Sequence, residues 1–293
     1  MASSYKHRSG DRKDGRLLRS LPAYSKFMPY MIADKNEACN FYDESFDIGE
    51  ADKCLRQERV SGYKNISFLH FIIAAYVRCV SMLPGINRFI VGRRIFARDG
   101  IEVILSVRRS ESIESSDTKI KVRFEPTDTI FDVYRKINEK TDELKAEDVT
   151  GSMEDLAETF SRSPRGFLRF GMAMLRMMDY FGWLPQSLLG MSTLHGSLLI
   201  NDAGALQAKP VFHQISKAGT LPLYISFGQK RHAYELDKHG EVTDTKYLDC
   251  RFVFDGRIVD AHYYSQFLQA MRYIFAHPEI LEHSPTRVIE DVG

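Results

Sequence analysis

The stretch from Ser67 to Leu83 constrains the fold of this chain more than any other. It is apolar on nearly every side of a predicted helix, which Ser67 caps and Pro84 ends. A helix that is apolar all round cannot lie on a surface, so we expect it in the middle of the fold. His70 is then expected to be a hydrogen-bonded core histidine rather than a ligand or a base, because no second titratable group lies near it in the sequence.

Strand and helix patterns alternate irregularly along the rest of the chain. In the last strand pattern Leu248, Cys250 and Phe252 alternate with charged neighbours, as a sheet with one buried face requires. Further helices are predicted from residue 127 or 128 and from Asp260 to about Ala276. Strands are predicted at 41–48, 102–107, 120–124, 198–200, 223–227 and 247–254. No glycine-rich phosphate loop accompanies them, so the sequence predicts an α/β fold with a mixed sheet covered by helices.

Composition limits the classes of function. The chain has 44% hydrophobic and 27% charged residues and a net charge of +1, which is typical of a globular protein and gives no global reason to expect a nucleic-acid partner. Cys39, Cys54, Cys79 and Cys250 have no Cys-x-x-Cys spacing. We therefore expect free thiols in the cytoplasm, without disulfides or a metal site.

Residues 1–26 are polar and basic and lack the apolar core of a secretory signal. They are expected to form a loosely ordered arm that packs on a neighbouring subunit or faces solvent, with a targeting or nucleic-acid tail as the alternative. Residues 27–293 are expected to form a single domain. No apolar run reaches transmembrane length.

The segment from Val253 to His262 has the outline of a catalytic signature. It reads VFDGRIVDAH and closely resembles the His-x-x-x-Asp-Gly motif of chloramphenicol acetyltransferase and of the catalytic domain of 2-oxoacid dehydrogenase acyltransferases. Gly256 stands where that family has its histidine, which removes the proton from the group that attacks a thioester. Glycine cannot do this, and loss of a positioned base costs about a hundredfold to ten-thousandfold in rate.

The resemblance covers residues 27–109 and 196–282. Segments 26–31, 66–70 and 83–89 resemble the family's strand, buried helix and proline-asparagine turn, and segment 197–204 resembles a later strand and turn. The resemblance implies a stand-alone core of the chloramphenicol acetyltransferase type, without a lipoyl domain. It also implies a homotrimer with its sites between subunits, a coenzyme A thioester as co-substrate, a small-molecule acceptor, and no covalently bound cofactor.

Candidate site residues follow from the resemblance. Asn201 corresponds to the family's hydroxyl residue that hydrogen-bonds the oxyanion, and an asparagine amide can also donate to developing negative charge. His262 is the nearest candidate for a relocated base, because the first turn of a helix favours a neutral imidazole; a histidine at a subunit contact is the alternative. Asp260 matches the motif aspartate but is also placed to cap a helix, and Arg257 is its plausible structural partner. His195 and His213 flank the Asn201 strand and could reach the same cleft.

Residues 110–195 form an insertion that departs most from the family. Its second half predicts an amphipathic helix over 165–181, with a basic stripe that includes Arg162, Arg165, Arg169 and Arg176. It could pack over the subunit or cleft as a lid, or lie on an anionic membrane surface. It could also line an acyl tunnel with methionines while Arg169 and Arg176 meet coenzyme A phosphates.

Two functions therefore remain open. The first is transfer of an acyl group from a coenzyme A thioester, with Asn201 polarising the carbonyl and with His262 or a substrate group taking the proton. The second is a catalytically inactive homologue that keeps the trimer and its cleft for binding, scaffolding or regulation.

Overall fold

A computed structural model describes residues 8–108, 117–146, 164–236 and 239–292. The strands are β1 (Gly15–Leu17), β2 (Cys39–Asp47), β3 (Arg88–Val91), β4 (Arg94–Arg98), β5 (Ile101–Arg108), β6 (Asp117–Phe124), β7 (Leu198–Asp202), β8 (Leu223–Leu236) and β9 (Val242–Asp255). The helices are α1 (Ala23–Met31), α2 (Gly49–Val60), α3 (Phe68–Met82), α4 (Ile130–Ala146), α5 (Arg165–Phe181), α6 (Gln186–Met191) and α7 (Ala261–Ala276).

The strands form a six-stranded sheet in the order β2-β9-β8-β7-β5-β6 and a three-stranded sheet in the order β1-β4-β3. In the larger sheet β7 runs parallel to β5 and β8, and the other neighbours are antiparallel. This mixed sheet covered by helices confirms the predicted fold class.

Helix α3 lies at the centre of the fold. Every residue from Phe68 to Ser81 except Leu69 is buried, and the helix packs against α4 and α7. The backbone N–H of Ser67 donates to Nδ1 of His70 at 3.2 Å, which forms a capping box at the first turn. The predicted central helix and its hydrogen-bonded core histidine are both confirmed.

The two faces of the large sheet have different coverings. The face that carries Phe252 and Phe254 packs on the helices in the main core. The opposite face carries Tyr224, which forms a small apolar cluster with Ile215 and Leu221. Segment 206–221 therefore covers part of this second face, and it brings loop residues next to the sheet.

The beginning of the chain differs from the sequence-based expectation. Residues 8–26 do not form a loose arm, because β1 pairs with β4 and both Leu18 and Leu21 are buried. Residues 1–7 lie outside the described residues. Segment 26–31, expected to be a strand, belongs to α1, since Pro29 in the second half of the helix does not prevent the first turns from forming.

Helix α5 confirms the predicted amphipathic helix, and it lies on the surface. None of its residues is buried, and Phe170 is 68% exposed. The carboxylate of Asp179 holds its C-terminal end, pairing with Arg12 at 2.9 Å. Arg162 of the predicted basic stripe lies outside the described residues. None of the described helices is long and apolar enough to cross a membrane.

Candidate functional site

The altered signature lies at the end of β9, where a buried ion pair holds the chain. Arg257 donates from Nε and Nη2 to the two carboxylate oxygens of Asp255, at 2.8 and 2.7 Å. Nη1 of Arg257 donates to the carbonyls of Ile32 and Ala33. Because a bidentate pair fixes both side chains, it clamps the motif onto the segment that follows α1. The partner of Arg257 is thus Asp255 and not Asp260.

The position of the missing histidine is filled by other groups. A Cβ atom at Gly256 would lie 2.5 Å from Nδ2 of Asn40 and 2.8 Å from the carbonyl oxygen of Ala38. The backbone N–H of Gly256 donates to that same carbonyl at 2.8 Å. Strand β2 therefore approaches the motif too closely for any side chain at this position, and a histidine would require Asn40 and the backbone to move.

Asp260 and His262 open helix α7. Asp260 is the N-cap, and its carboxylate accepts a hydrogen bond from the backbone N–H of Tyr263 at 2.9 Å. His262 is exposed, and its Nε2 lies 3.0 Å from the side-chain amide of Gln266, one turn along the same helix. The capping role expected for Asp260 is present, whereas the contacts of His262 are those of a surface side chain.

Asn201 lies on the second face of the large sheet, opposite Ser226 of β8. Burial raises the pKa of Tyr224, and hydrogen bonds with the side chains of Ser226 and Asn201 oppose part of that rise. The ring of His213 lies 5.4 Å from the ring of Tyr224. Of the two histidines that flank β7, His213 therefore comes near the Asn201 group.

His195 belongs to a different cluster. Its Nδ1 lies 2.7 Å from Oγ of Ser192, and its Nε2 lies 3.3 Å from the carboxylate of Asp179. Burial acts to raise the pKa of Asp179, but the interactions with His195 and with Arg12 outweigh it, so the pKa of Asp179 is lowered. The cluster connects α5 to the start of the chain. The contacts of Asp179 with Arg12 and His195 indicate that this cluster anchors the end of α5.

A cavity of about 380 Å³ lies beside the ion pair. It is formed by the end of α1, the turn between β3 and β4, the end of α5 and the loop before β8. Its charged lining residues are Asp34, Lys35, Arg93, Lys217 and Arg257. Lys217 pairs with Asp34 and Arg257 with Asp255, so the positive charge that these pairs do not balance comes mainly from Arg93.

Lys35 is the unexpected residue of this cavity. Its side chain is nearly buried, with 7% exposure, and Nζ donates to the carbonyls of Gly219 and Leu221. Burial lowers the pKa of Lys35 to about 8, although the nearby carboxylate of Asp255 opposes part of that change. No local sequence pattern points to Lys35, because Asp34-Lys35-Asn36 has the composition of a polar surface turn.

The arginines proposed to meet coenzyme A phosphates lie elsewhere. Arg169 and Arg176 are exposed on α5, whereas the residue of α5 that lines the cavity is Tyr180. Within the described ranges, no group of three or more histidine, cysteine, aspartate or glutamate side chains is placed to hold a metal ion.

Comparison with solved structures identifies the fold. A probable dihydrolipoamide acetyltransferase from Listeria monocytogenes 4b F2365 matches with a TM-score of 0.56 and 13% identity, covering 88% of this chain and 94% of that chain. A chloramphenicol acetyltransferase matches with a TM-score of 0.54 and 11% identity, covering 87% and 96%. A dihydrolipoamide acetyltransferase from Azotobacter vinelandii was studied for the catalytic roles of a serine, a histidine and an asparagine. It matches with a TM-score of 0.51 and 12% identity, covering 91% of this chain and 94% of that chain.

These matches confirm the predicted resemblance at the level of the fold, which is that of an acyltransferase catalytic core. At such low identity the likeness extends to the fold alone. No protein-family model and no curated protein sequence matches the chain.

Proposed function

We propose that this protein binds a coenzyme A thioester in the cavity beside Asp255 and Arg257 and transfers its acyl group to a small-molecule acceptor. The observation that carries the proposal is a cationic cavity at the altered signature, in a fold shared with dihydrolipoamide and chloramphenicol acetyltransferases. Asn201 does not line this cavity. Its amide can donate to an oxyanion, so it remains our candidate for polarising a thioester carbonyl that extends beyond the cavity to the second face of the sheet.

The charges of the cavity support an anionic ligand. Arg93 lies in the turn between β3 and β4, where both Gly92 and Arg93 have positive φ, as a tight hairpin turn requires. Its guanidinium carbon lies 5.7 Å from the ring centre of Tyr30. The Arg93 guanidinium supplies positive charge that the phosphate groups of coenzyme A would complement.

We also propose that the chain assembles as a homotrimer in the cytoplasm, with the site near a contact between subunits. A solved structure with this fold, at a TM-score of 0.53, is the cubic core of the pyruvate dehydrogenase multienzyme complex. Exposed aromatic and methionine side chains on α1 and α5, including Tyr24, Phe27, Phe167 and Phe170, offer apolar surface for such a contact. The four cysteines are free thiols, in keeping with a reducing compartment.

An anionic membrane surface is the second candidate partner for α5. On the helix, Arg165, Arg169 and Arg176 fall within one narrow face, and Phe170 and Met174 lie on the far side. Pelleting of the full chain with anionic vesicles, but not with neutral ones, would favour this partner. A trimer in which Phe170 is buried between subunits would rule out the membrane surface as the partner of α5.

The experiment combines binding and chemistry on the purified chain. Coenzyme A and a panel of acyl-coenzyme A donors should raise the melting temperature, because a ligand that binds the native state stabilises it. With a panel of thiol, hydroxyl and amine acceptors, one donor and acceptor pair should release free coenzyme A thiol. Arg93→Gln should weaken binding, whereas Arg287→Gln, an exposed arginine elsewhere, should not.

A catalytically inactive binding protein is the alternative function. The filling of the histidine position by Asn40 favours it, since the known base of this fold has no place here. It predicts stabilisation by coenzyme A thioesters without thiol release from any donor. If no thioester raises the melting temperature, both functions are wrong.

A further inference from the structure

Lys35 places an amine at the wall of the cavity. Nζ donates to the backbone carbonyls of Gly219 and Leu221 at 3.1 and 3.2 Å, and Gly219 lines the cavity together with Lys35. The amine has neutral carbonyls rather than a carboxylate as its direct partners. A buried ammonium in such surroundings is costly, because carbonyl dipoles replace only part of its hydration.

The hydrogen bonds of Lys35 leave one position on its nitrogen open. A neutral amine has two N–H bonds and one lone pair, whereas an ammonium has three N–H donors and no lone pair. The two carbonyls occupy two donors. When Lys35 is neutral, neither of these hydrogen bonds uses the lone pair of Nζ. The lone pair is therefore available to accept a proton from a molecule in the cavity.

The loop before β8 connects this amine to the altered signature through two hydrogen bonds. The carbonyl of Leu221 accepts from Lys35, and the carbonyl of the next residue, Pro222, accepts from the backbone N–H of Asp255 at 2.9 Å. Arg257 holds the backbone just before Lys35. The ion pair of the motif therefore fixes the position of the amine.

The charged groups around the amine act in opposite directions. Asp255 favours the ammonium, and the thiol of Cys39 does so when it ionises, whereas the guanidiniums of Arg257 and Arg98 favour the neutral amine. Lys217, on the loop before β8, pairs with Asp34, which follows α1, and both residues also line the cavity. Burial is the largest influence, and it favours the neutral amine.

We propose that Lys35 replaces the missing histidine as the proton acceptor for acyl transfer in this cavity, an inference that rests on the proposed function. The acceptor is a thiol, hydroxyl or amine that attacks the thioester carbonyl carbon. Its proton moves to Nζ of Lys35 as the new bond to carbon forms. The carbon–sulfur bond then breaks, and the ammonium returns the proton to the departing thiolate, so that coenzyme A leaves as the free thiol and the amine is regenerated.

The test compares full-length variants with the donor and acceptor pair that gives the most thiol in the wild type. Lys35→Gln retains two amide donors for the carbonyls of Gly219 and Leu221 but accepts no proton near neutral pH. It should lower the transfer rate about a hundredfold or more and keep most of the thermal stabilisation by coenzyme A. Lys64→Gln, which makes the same change at an exposed lysine away from the cavity, should keep the rate within about threefold.

The pH profile provides a readout that a structural role would not change. The wild-type rate should rise with pH and level off above about pH 8, and the remaining rate of Lys35→Gln should lose that inflection. If Lys35→Gln unfolds, Lys35→Met and the wild-type profile decide the question.

Two kinds of failure are distinguishable. If the wild type transfers an acyl group and the Lys35 variants transfer it equally fast, the role of Lys35 is wrong and the proposed function stands. Loss of activity in His262→Ala instead, or an acyl group found on Lys35 by mass spectrometry of the working enzyme, also overturns it. If the wild type releases no thiol from any donor, the proposed transfer is wrong, and the role of Lys35 falls with it.

Discussion

Helices α3 and α5 have similar lengths and are both rich in apolar residues, with 15 and 17 residues respectively, yet they occupy opposite places in the molecule. Nearly every residue of α3 is buried between the sheet and its neighbouring helices, and no residue of α5 is buried. The difference lies in the arrangement of the apolar side chains. In α3 they cover the whole circumference, whereas α5 leaves a face of arginines for solvent. The first helix therefore serves the fold, and the second leaves apolar surface available for association.

The largest expected effect is a difference between matched truncations in the two helices. Phe71→Ala in α3 should lower the free energy of unfolding by about 3–5 kcal/mol, because it leaves a cavity in the core. Phe170→Ala in α5 should change it by less than about 0.5 kcal/mol. Urea denaturation at low protein concentration measures both values, and equal losses would show that α5 is a structural element of the single chain.

A second comparison concerns the ion pairs of the two regions. Arg257→Met leaves the carboxylate of Asp255 buried without its partner and should cost about 3–5 kcal/mol. Asp179→Asn at the end of α5 should cost only about 1 kcal/mol, because Arg12 keeps its pairing with Asp14. Hydrogen exchange should then speed up in α5 while α3 stays protected. Faster exchange throughout the chain would contradict this separation.

The capping histidine of α3 gives a pH dependence. Burial lowers the pKa of His70 to about 4, below its usual value near 6.5, so the unfolded chain binds the proton more tightly than the folded chain between these values. The contribution of His70 to the free energy of unfolding is therefore fully present above about pH 6.5 and is lost as the pH falls from there to about 4, by up to about 3 kcal/mol. His70→Gln keeps a capping-box residue and should remove this part of the slope. An unchanged slope would show that His70 does not cause it.

The smallest effect on stability is expected for the exposed face of α5. Phe170→Ser combined with Met174→Ser should leave the melting temperature of the monomer nearly unchanged but weaken self-association about tenfold or more, as measured by sedimentation or light scattering. Leu236→Ser, which removes an exposed apolar side chain from β8, is the matched control. If the double variant assembles like the wild type, α5 does not contribute to the contact between subunits.

The sequence predicts some parts of this molecule well for physical reasons. Helices α3, α5 and α7 and the long strand β9 carry periodic apolar patterns, so their type and approximate limits follow from local residues. The short strand β1 and the helix α1 lack such patterns and depend on contacts with β4. Sequence periodicity cannot reveal elements that tertiary contacts impose.

The candidate site was partly predictable. The resemblance located the motif at residues 256–261, and the capping role of Asp260 followed from its place before a helix. The filling of the space at Gly256 depends on the register between β2 and β9, which brings Asn40 alongside. The environment of Lys35 depends on carbonyls 184 and 186 positions away. Neither contact leaves a local signal in the sequence.

The most direct test of the account is a crystal structure of the assembled protein with a non-hydrolysable acyl-coenzyme A analogue. We predict that the phosphates lie near Arg93 and that the thioester mimic lies in the cavity beside Arg257, within hydrogen-bonding reach of Lys35. An analogue bound away from this cavity, or a cavity closed by the protein's own side chains in the assembly, would contradict the account.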